Sequence, residues 1–257
     1  MEYTWVALIA LGVGLIGGYA GIAGAPFIIF ALVTFLGYPQ HSAQGTVLAM
    51  MMGPMTIMPV YYGREIVRKR IKVILIAIVT YMVFSFAGAN IAYLFNTQTL
   101  KIVFGMVIVL VGAIYLDFSL RRPNGSSSIA REKPLSVVSM AIVGSIMGFV
   151  GGIVGIGAGI LLIPYLTMVK GIEQREAQTM SLAILLPPVS LGAVLKYGLI
   201  EHDIIWHAVG IIFAAFVAAS GFGYKLSMKH KSIVLRIALA VLLIATGIVN
   251  IVMSTLS

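Results

Sequence analysis

The chain has 257 residues, of which 60% are apolar and only 10% charged, with a net charge of +9 and no cysteine. Soluble domains carry about a quarter of their residues as charges, so that class is excluded and an all-α, polytopic membrane protein is expected. Inventory also excludes disulfides, thiolate metal sites and cysteine nucleophiles; lysine and arginine in short loops beside apolar runs, Arg64 to Lys72 among them, read as orienting charges, not as a nucleic-acid surface.

The first apolar run, Trp5 to Leu36, covers 32 residues, too many for one crossing at about 20 residues and too few for two. No basic segment precedes it and it runs unrelieved into a glycine-rich stretch, so it reads as part of the mature fold and not as a cleaved signal peptide. A broken pair fits: a longer arm to near Ile22, a glycine turn from Ala23 to Ala25, and a shorter arm to Leu36. Crossings are expected next at Ala43 to Tyr61, Val73 to Phe95 and Ile102 to Leu120, the first kinked at Pro54. Residues Arg121 to Pro134, RRPNGSSSIAREKP, have the composition of a linker. Leu135 to Val169 then repeats the long pattern with its break around Gly157 to Gly159. Ala177 to Leu195, kinked at Pro187 and Pro188, Ile204 to Tyr224 and Ile233 to Met253 complete the chain, with no room for a soluble domain between them.

Displaced by 134 residues, the chain matches itself at 13 of the 40 ungapped pairs from Gly17/Gly151 to Thr56/Ser190. The matches include Gly21/Gly155, Gly37/Gly171, Gln40/Gln174, Ala43/Ala177, Gln44/Gln178 and Pro54/Pro188, so the likeness exceeds shared greasiness and marks a repeat. The units are 1–120 and 135–257, joined by 121–134. If each glycine stretch crossed once, ten basic residues would lie inside and seven outside; if each dips in and returns, the count is 15 against two. Basic residues concentrate on the cytoplasmic side. The expected fold is therefore two inverted-topology repeats, each a broken or re-entrant pair plus three transmembrane helices, about 8 to 10 membrane segments in all, with both termini extracytoplasmic in a multi-pass cell-membrane protein.

A break at membrane depth is tolerated where it is buried in protein or lines a wet cavity, and in transporters built of inverted repeats the exposed amino ends of half-helices attract anions. Gly21, Gly24 and Ala25 in the first copy, with Gly155, Gly157 and Gly159 in the second, are the candidate backbone site. Close helix packing is the competing role of the glycines before each turn, and a nucleotide fingerprint lacks its soluble strand-to-helix context. Gln44 and Gln178 recur in register, and an amide donates two hydrogen bonds without charge; bonding a neighbouring helix is their alternative role. Thr46, Thr179 and Ser181 lie within a turn and could add hydroxyl donors, although such hydroxyls often bond their own helix.

All eight acidic residues fall near span ends or in loops, and His41, His202, His207 and His230 read as edge residues. With no carboxylate at the expected midplane depth, ion coupling lacks its usual element. A singly charged anion leaving a cell that is negative inside gains about 2.3 kcal/mol per 100 mV, which leans toward export. No cofactor and no metal are expected; the partners are a small anionic solute and the bilayer.

GGYAGIAGAPFIIFALVTFLG followed by SAQGT, and GGIVGIGAGILLIPYLTMVKG followed by EAQTMS, resemble the sulfite exporter TauE/SafE family of membrane permeases, over essentially the whole chain. The resemblance implies an anion transporter whose cargo is a sulfur oxyanion or organosulfonate such as sulfite. The family pattern sets alanine, a variable residue, glycine, threonine and serine after each glycine block. Ala43, Gly45 and Thr46 match it with Val47 in place of serine; Ala177 and Ser181 match with Thr179 and Met180 in place of glycine and threonine. Hydroxyl ligation is therefore in doubt at Val47 and Met180. An anion channel and a non-transporting membrane partner stay open as alternatives, whereas an intramembrane protease lacks the paired residues it would need.

Overall fold

The computed structural model describes residues 2–20, 24–54, 56–121, 134–157, 159–227 and 232–256. Every regular element among them is helical, as expected where backbone in hydrocarbon must satisfy its hydrogen bonds within its own segment. The first half contains α1 (Glu2–Ala20), α2 (Ala25–Phe35), α3 (Gln40–Met50), α4 (Ile57–Tyr62), α5 (Arg64–Ala92) and α6 (Thr97–Arg121). The second contains α7 (Val137–Val154), α8 (Gly159–Pro164, widening into a π-helical turn over Tyr165–Val169) and α9 (Gln174–Ile184). It continues with α10 (Leu191–Val194, widening over Leu195–Ile200), α11 (Trp206–Ser227) and α12 (Ser232–Leu256). Among the described residues, α5, α6, α7, α11 and α12 are long and apolar enough to cross a membrane. Arg121 closes α6 and Pro134 precedes α7; the expected linker between them lies outside the described residues.

The sequence repeat has a structural counterpart. α3 and α9 each have 11 residues, at the 134-residue spacing of the sequence repeat. Gly37 and Gly171, which precede them, share a left-handed backbone with φ of 70° and 71°.

Three helix pairs dominate the packing: α5 with α7, α1 with α11, and α6 with α12. On α7 the large apolar residues Val138, Ile142 and Ile146 point outward, all more than half exposed, while Gly144, Gly148 and Gly152 face α5. Lipid is as apolar as valine, so nothing drives large side chains inward; close backbone contact holds such pairs instead. The same device joins α1 to α11, where Gly14 and Gly18 lie against Phe216 and Ser220. Contacts advance together along α5 and α7, with Gly148 at Tyr81 and Gly152 at Ser85, and so run parallel. α6 and α12 run antiparallel, since Gly105 meets Gly247 while Gly112 meets Ala240.

The structure corrects the expected elements in three places. The prolines do more than kink: α3 stops at Met50 and α4 starts at Ile57, and α9 and α10 are likewise separated by the turns around Pro187 and Pro188. Each interruption frees a carbonyl, because Met52 N–H bonds to Ala49 O and Leu186 N–H to Ala183 O, one residue short of the helical partner. The freed Leu48 O accepts from Ser190 Oγ and the freed Leu182 O from Thr56 Oγ1, both at 2.7 Å. These two bonds are each other's copy in the repeat, and they tie the halves together. Second, the basic cluster Arg64 to Lys72 forms the first turns of α5 and not a loop, consistent with the good helix propensity of arginine and lysine and the reach of their side chains to the interface. Third, the second break begins earlier than Gly157, at Gly155, where α7 ends.

Candidate functional site

The break after α7 sets the site. Gly155 has φ 73° and its N–H bonds to Gly151 O at 2.8 Å, a left-handed cap that ends the helix without a Cβ penalty. A Cβ at Gly155 would lie 3.0 Å from Gln44 Cβ, Gln44 Cγ and Ile29 Cδ1, so the chain turns against the side chain of Gln44. In the first copy Gly24, φ 65°, caps the start of α2. A Cβ there would lie 3.2 Å from Val13 O and 3.3 Å from Phe216 Cε2. Eleven residues of straight helix would put Gly24 about 16 Å from Val13; the contact shows that the start of α2 packs back against α1.

Two tyrosines that sequence reasoning missed hold the second break. Tyr81 Oη donates to Ile156 O at 3.1 Å, and Tyr197 Oη donates to Gln44 Oε1 at 3.1 Å with Gly152 O at 3.4 Å. Both rings are fully buried. A phenol hydroxyl inside an apolar segment is the signal that could have found them, since a buried tyrosine usually has a partner for it. Removing that donor leaves a buried carbonyl unpaired, at about 1–3 kcal/mol. Tyr81→Phe is therefore expected to lower stability by that amount in thermal unfolding of the detergent-solubilised protein, and an unchanged melting temperature would remove Tyr81 from the support of the break.

With Tyr197 on its oxygen, the fully buried Gln44 leaves its amide nitrogen with no partner. Gly45 beside it packs on Tyr197 and on Ile204, at 3.1 and 3.3 Å from the position of a Cβ. Thr46 Oγ1 accepts from Ile205 N–H at 3.0 Å, so this hydroxyl anchors the loop before α11. A second group lies on α9. Gln178 is buried; Thr179 Oγ1 bonds back to Arg175 O at 2.9 Å, and its methyl presses on Gly63; Ser181 Oγ is buried without a partner. Ala25 is the buried first residue of α2 and Gly159 the first residue of α8; Gly157 is buried in the break, and Gly21 lies outside the described residues.

Polar bridges sit at either end of α5. Near its start Arg70 Nε meets Glu176 Oε1 of α9 at 2.7 Å. Just past its other end Tyr93 Oη donates to Asp203 Oδ2 at 2.7 Å and Ser42 Oγ to Asp203 Oδ1 at 3.4 Å. His41 stacks on Tyr93 with centroids 4.7 Å apart, so this histidine is part of a cluster. Burial, then the hydrogen bond to the Asp203 carboxylate and its charge, push the Tyr93 phenol up and keep it a donor. No group of three metal-binding side chains occurs among the described residues.

The chain is built of apolar helices, some of them interrupted, with buried amides among them, and comparison with known proteins gives its family. The model of the sulfite exporter TauE/SafE family matches residues 6–249. The chain belongs to this family. This TauE/SafE member is 24% identical to the probable membrane transporter protein YunE of Bacillus subtilis, over 96% of its own length and 97% of that protein's. It is 27% identical to a probable membrane transporter protein of Methanocaldococcus jannaschii, over 92% and 90%. No solved structure gives a significant match. The family and the relatives identify this member as a multi-pass membrane transporter.

Proposed function

We propose that this transporter is a carrier for a small anion, of the sulfur oxyanion or organosulfonate class, and that it works outward across the cell membrane. The observation that carries the anion reading is the Gln44 amide: a buried donor with no acceptor, set against the backbone break at Gly155. Leaving a donor unpaired in a buried site is costly, and an oxyanion supplies the missing acceptor without a charged partner in the protein. Ser181 Oγ on α9, also buried and unpaired, has the same need. The cargo class rests on the family description, and the direction on the gain available to an anion leaving a negative interior.

The carrier reading includes two inverted repeats, 1–120 and 135–257, about a cytoplasmic 121–134, with both termini outside. Support comes from the exchanged hydrogen bonds Thr56 to Leu182 and Ser190 to Leu48, and from α6 and α12 meeting antiparallel. Helices that are copies of each other and oppose in direction require a two-fold axis across them, which lies in the membrane plane if they span it.

The test is a melting-temperature screen of sulfite, sulfate, thiosulfate and methanesulfonate against purified protein, repeated with Gln44→Ala and Gln178→Ala. At least one anion is expected to stabilise the wild type. A hydrogen bond to a charged ligand is worth about 1.5–3 kcal/mol, so each variant is expected to bind that anion at least about ten-fold more weakly. If no anion shifts the wild type, or the variants respond as it does, the site is wrong. Saturable flux with counterflow in vesicles identifies a carrier, and unitary currents a channel.

A further inference from the structure

A cavity lies away from Gln44. It encloses about 430 Å³ between the start of α5, the start of α9 and Tyr224 of α11. Arg64, the first residue of α5, and Arg175, the second residue of α9, both line it. Those positions are unfavourable for arginine, because a helix start already carries the positive end of the backbone dipole and attracts acids, not bases. Here two helix starts and two arginines line one cavity, with Glu65 the one carboxylate among the described lining residues. Glu176, the acid in the first turn of α9, is bound to Arg70.

The walls are aromatic. Tyr62 stacks parallel to Tyr224 at 6.3 Å and packs on Tyr61 at 5.9 Å. Two cations already lie over these rings, Arg64 over Tyr61 at 5.2 Å and Lys225 over Tyr62 at 5.3 Å, so positive charge is held at the cavity by packing as well as by sequence. Behind the cavity the packing is tight. The buried lining residue Gly63 touches the Thr179 methyl, one residue from Gln178 and two from Ser181.

We propose that this cavity is an oxyanion-binding vestibule, in which Arg64 and Arg175 hold a sulfonate or phosphate group while the tyrosine rings carry any organic tail. The proposal deepens the carrier reading and rests on it, since Gly63 and Thr179 are in contact here and a solute passes them only if the carrier opens. A free anion and the headgroup of an anionic phospholipid offer the same chemistry here, so the experiment must separate them.

The chain has no cysteine, so Ile66→Cys places one thiol in the cavity lining of the full-length protein. The labelling rates of a sulfonate-bearing and an ammonium-bearing methanethiosulfonate reagent are compared in phosphatidylcholine vesicles. A cleft of one sign raises the local concentration of opposite charge by an order of magnitude or more. The preference for the anionic reagent is expected to fall at least about five-fold when Arg64→Gln and Arg175→Gln are added. Methanesulfonate is expected to slow labelling saturably in the arginine form alone. Slowing by phosphatidylglycerol without methanesulfonate assigns the cavity to a lipid headgroup, and slowing by methanesulfonate alone assigns it to a free anion; either supports an oxyanion site. Equal reagent preference with and without the arginines, and no slowing from either source, overturns it. Loss of the anion response in Gln44→Ala and Gln178→Ala is read separately by melting temperature, so failure of the vestibule and failure of the carrier site are distinguishable.

Discussion

Gly152→Ala is expected to destabilise the protein by about 1–3 kcal/mol although it adds a single methyl group. A Cβ there would overlap Ser85 O and stand 2.8 Å from Ala89 N and 3.0 Å from Ser85 C, all backbone atoms of α5. Backbone cannot rotate away as a side chain tip can, so relief requires α5 and α7 to part along a face where glycine contact is the main source of cohesion. Gly18→Ala on α1 meets the backbone of Ser220 at 2.7 and 2.8 Å and is expected to behave alike. Gly12→Ala and Gly210→Ala are the controls, since a Cβ at either meets nothing within 4 Å; there the better helix propensity of alanine leaves the melting temperature unchanged or raised. Thermal unfolding in detergent decides, and a Gly152→Ala protein as stable as Gly12→Ala would refute the close-contact account of this interface.

Sequence made the repeat legible because identical residues recur at one spacing, and the glycine breaks because a 32-residue apolar run is too long for one crossing and too short for two. Gln44 stands out in the sequence for the same reason, as one of the recurring pairs. The breaks between α3 and α4 and between α9 and α10 were not: a proline in an apolar run is compatible with either a kink or a stop. What decides between them is the partner for the freed carbonyls, Ser190 and Thr56, which sit 142 and 126 residues away. Tyr81 and Tyr197 were missed on similar grounds, since an aromatic residue in an apolar segment reads as packing until its hydroxyl is seen to reach Ile156 or Gln44. The basic cluster from Arg64 to Lys72 reads as a loop by charge alone, yet the same residues are good helix formers, and helix won. His41, read as a solvated edge, stacks on a tyrosine from a segment 52 residues on, a contact no local pattern contains.

Glu176→Gln and Tyr93→Phe are expected to shift the protein in opposite directions. Arg70 and Tyr93 lie 23 residues apart on and just beyond α5, which at 1.5 Å per residue is roughly 35 Å, close to the thickness of the hydrocarbon core of about 30 Å. One helix thus bears a polar latch at each end: Arg70 to Glu176 on α9, and Tyr93 to Asp203 in the loop before α11, with Ser42 of α3 on the same carboxylate. Glu176 and Ser42 are equivalent positions of the repeat, so under the proposed carrier reading the two latches would stand at opposite ends of one pathway. With both made, Gln44, Thr46, Thr179 and Ser181 are buried. A carrier must open one end at a time, and a hydrogen bond to a charged group is worth about 1.5–3 kcal/mol, or roughly ten-fold or more in the ratio of the two open forms. Loss of the Glu176 charge is expected to speed labelling of Ser181→Cys from the proposed cytoplasmic side. Loss of the Tyr93 hydroxyl is expected to speed labelling of Thr46→Cys from the opposite side, and the two changes combined restore the balance between the sides. If both variants speed labelling from the same side, the latches do not alternate, and α5 is a strut and not the beam between two gates.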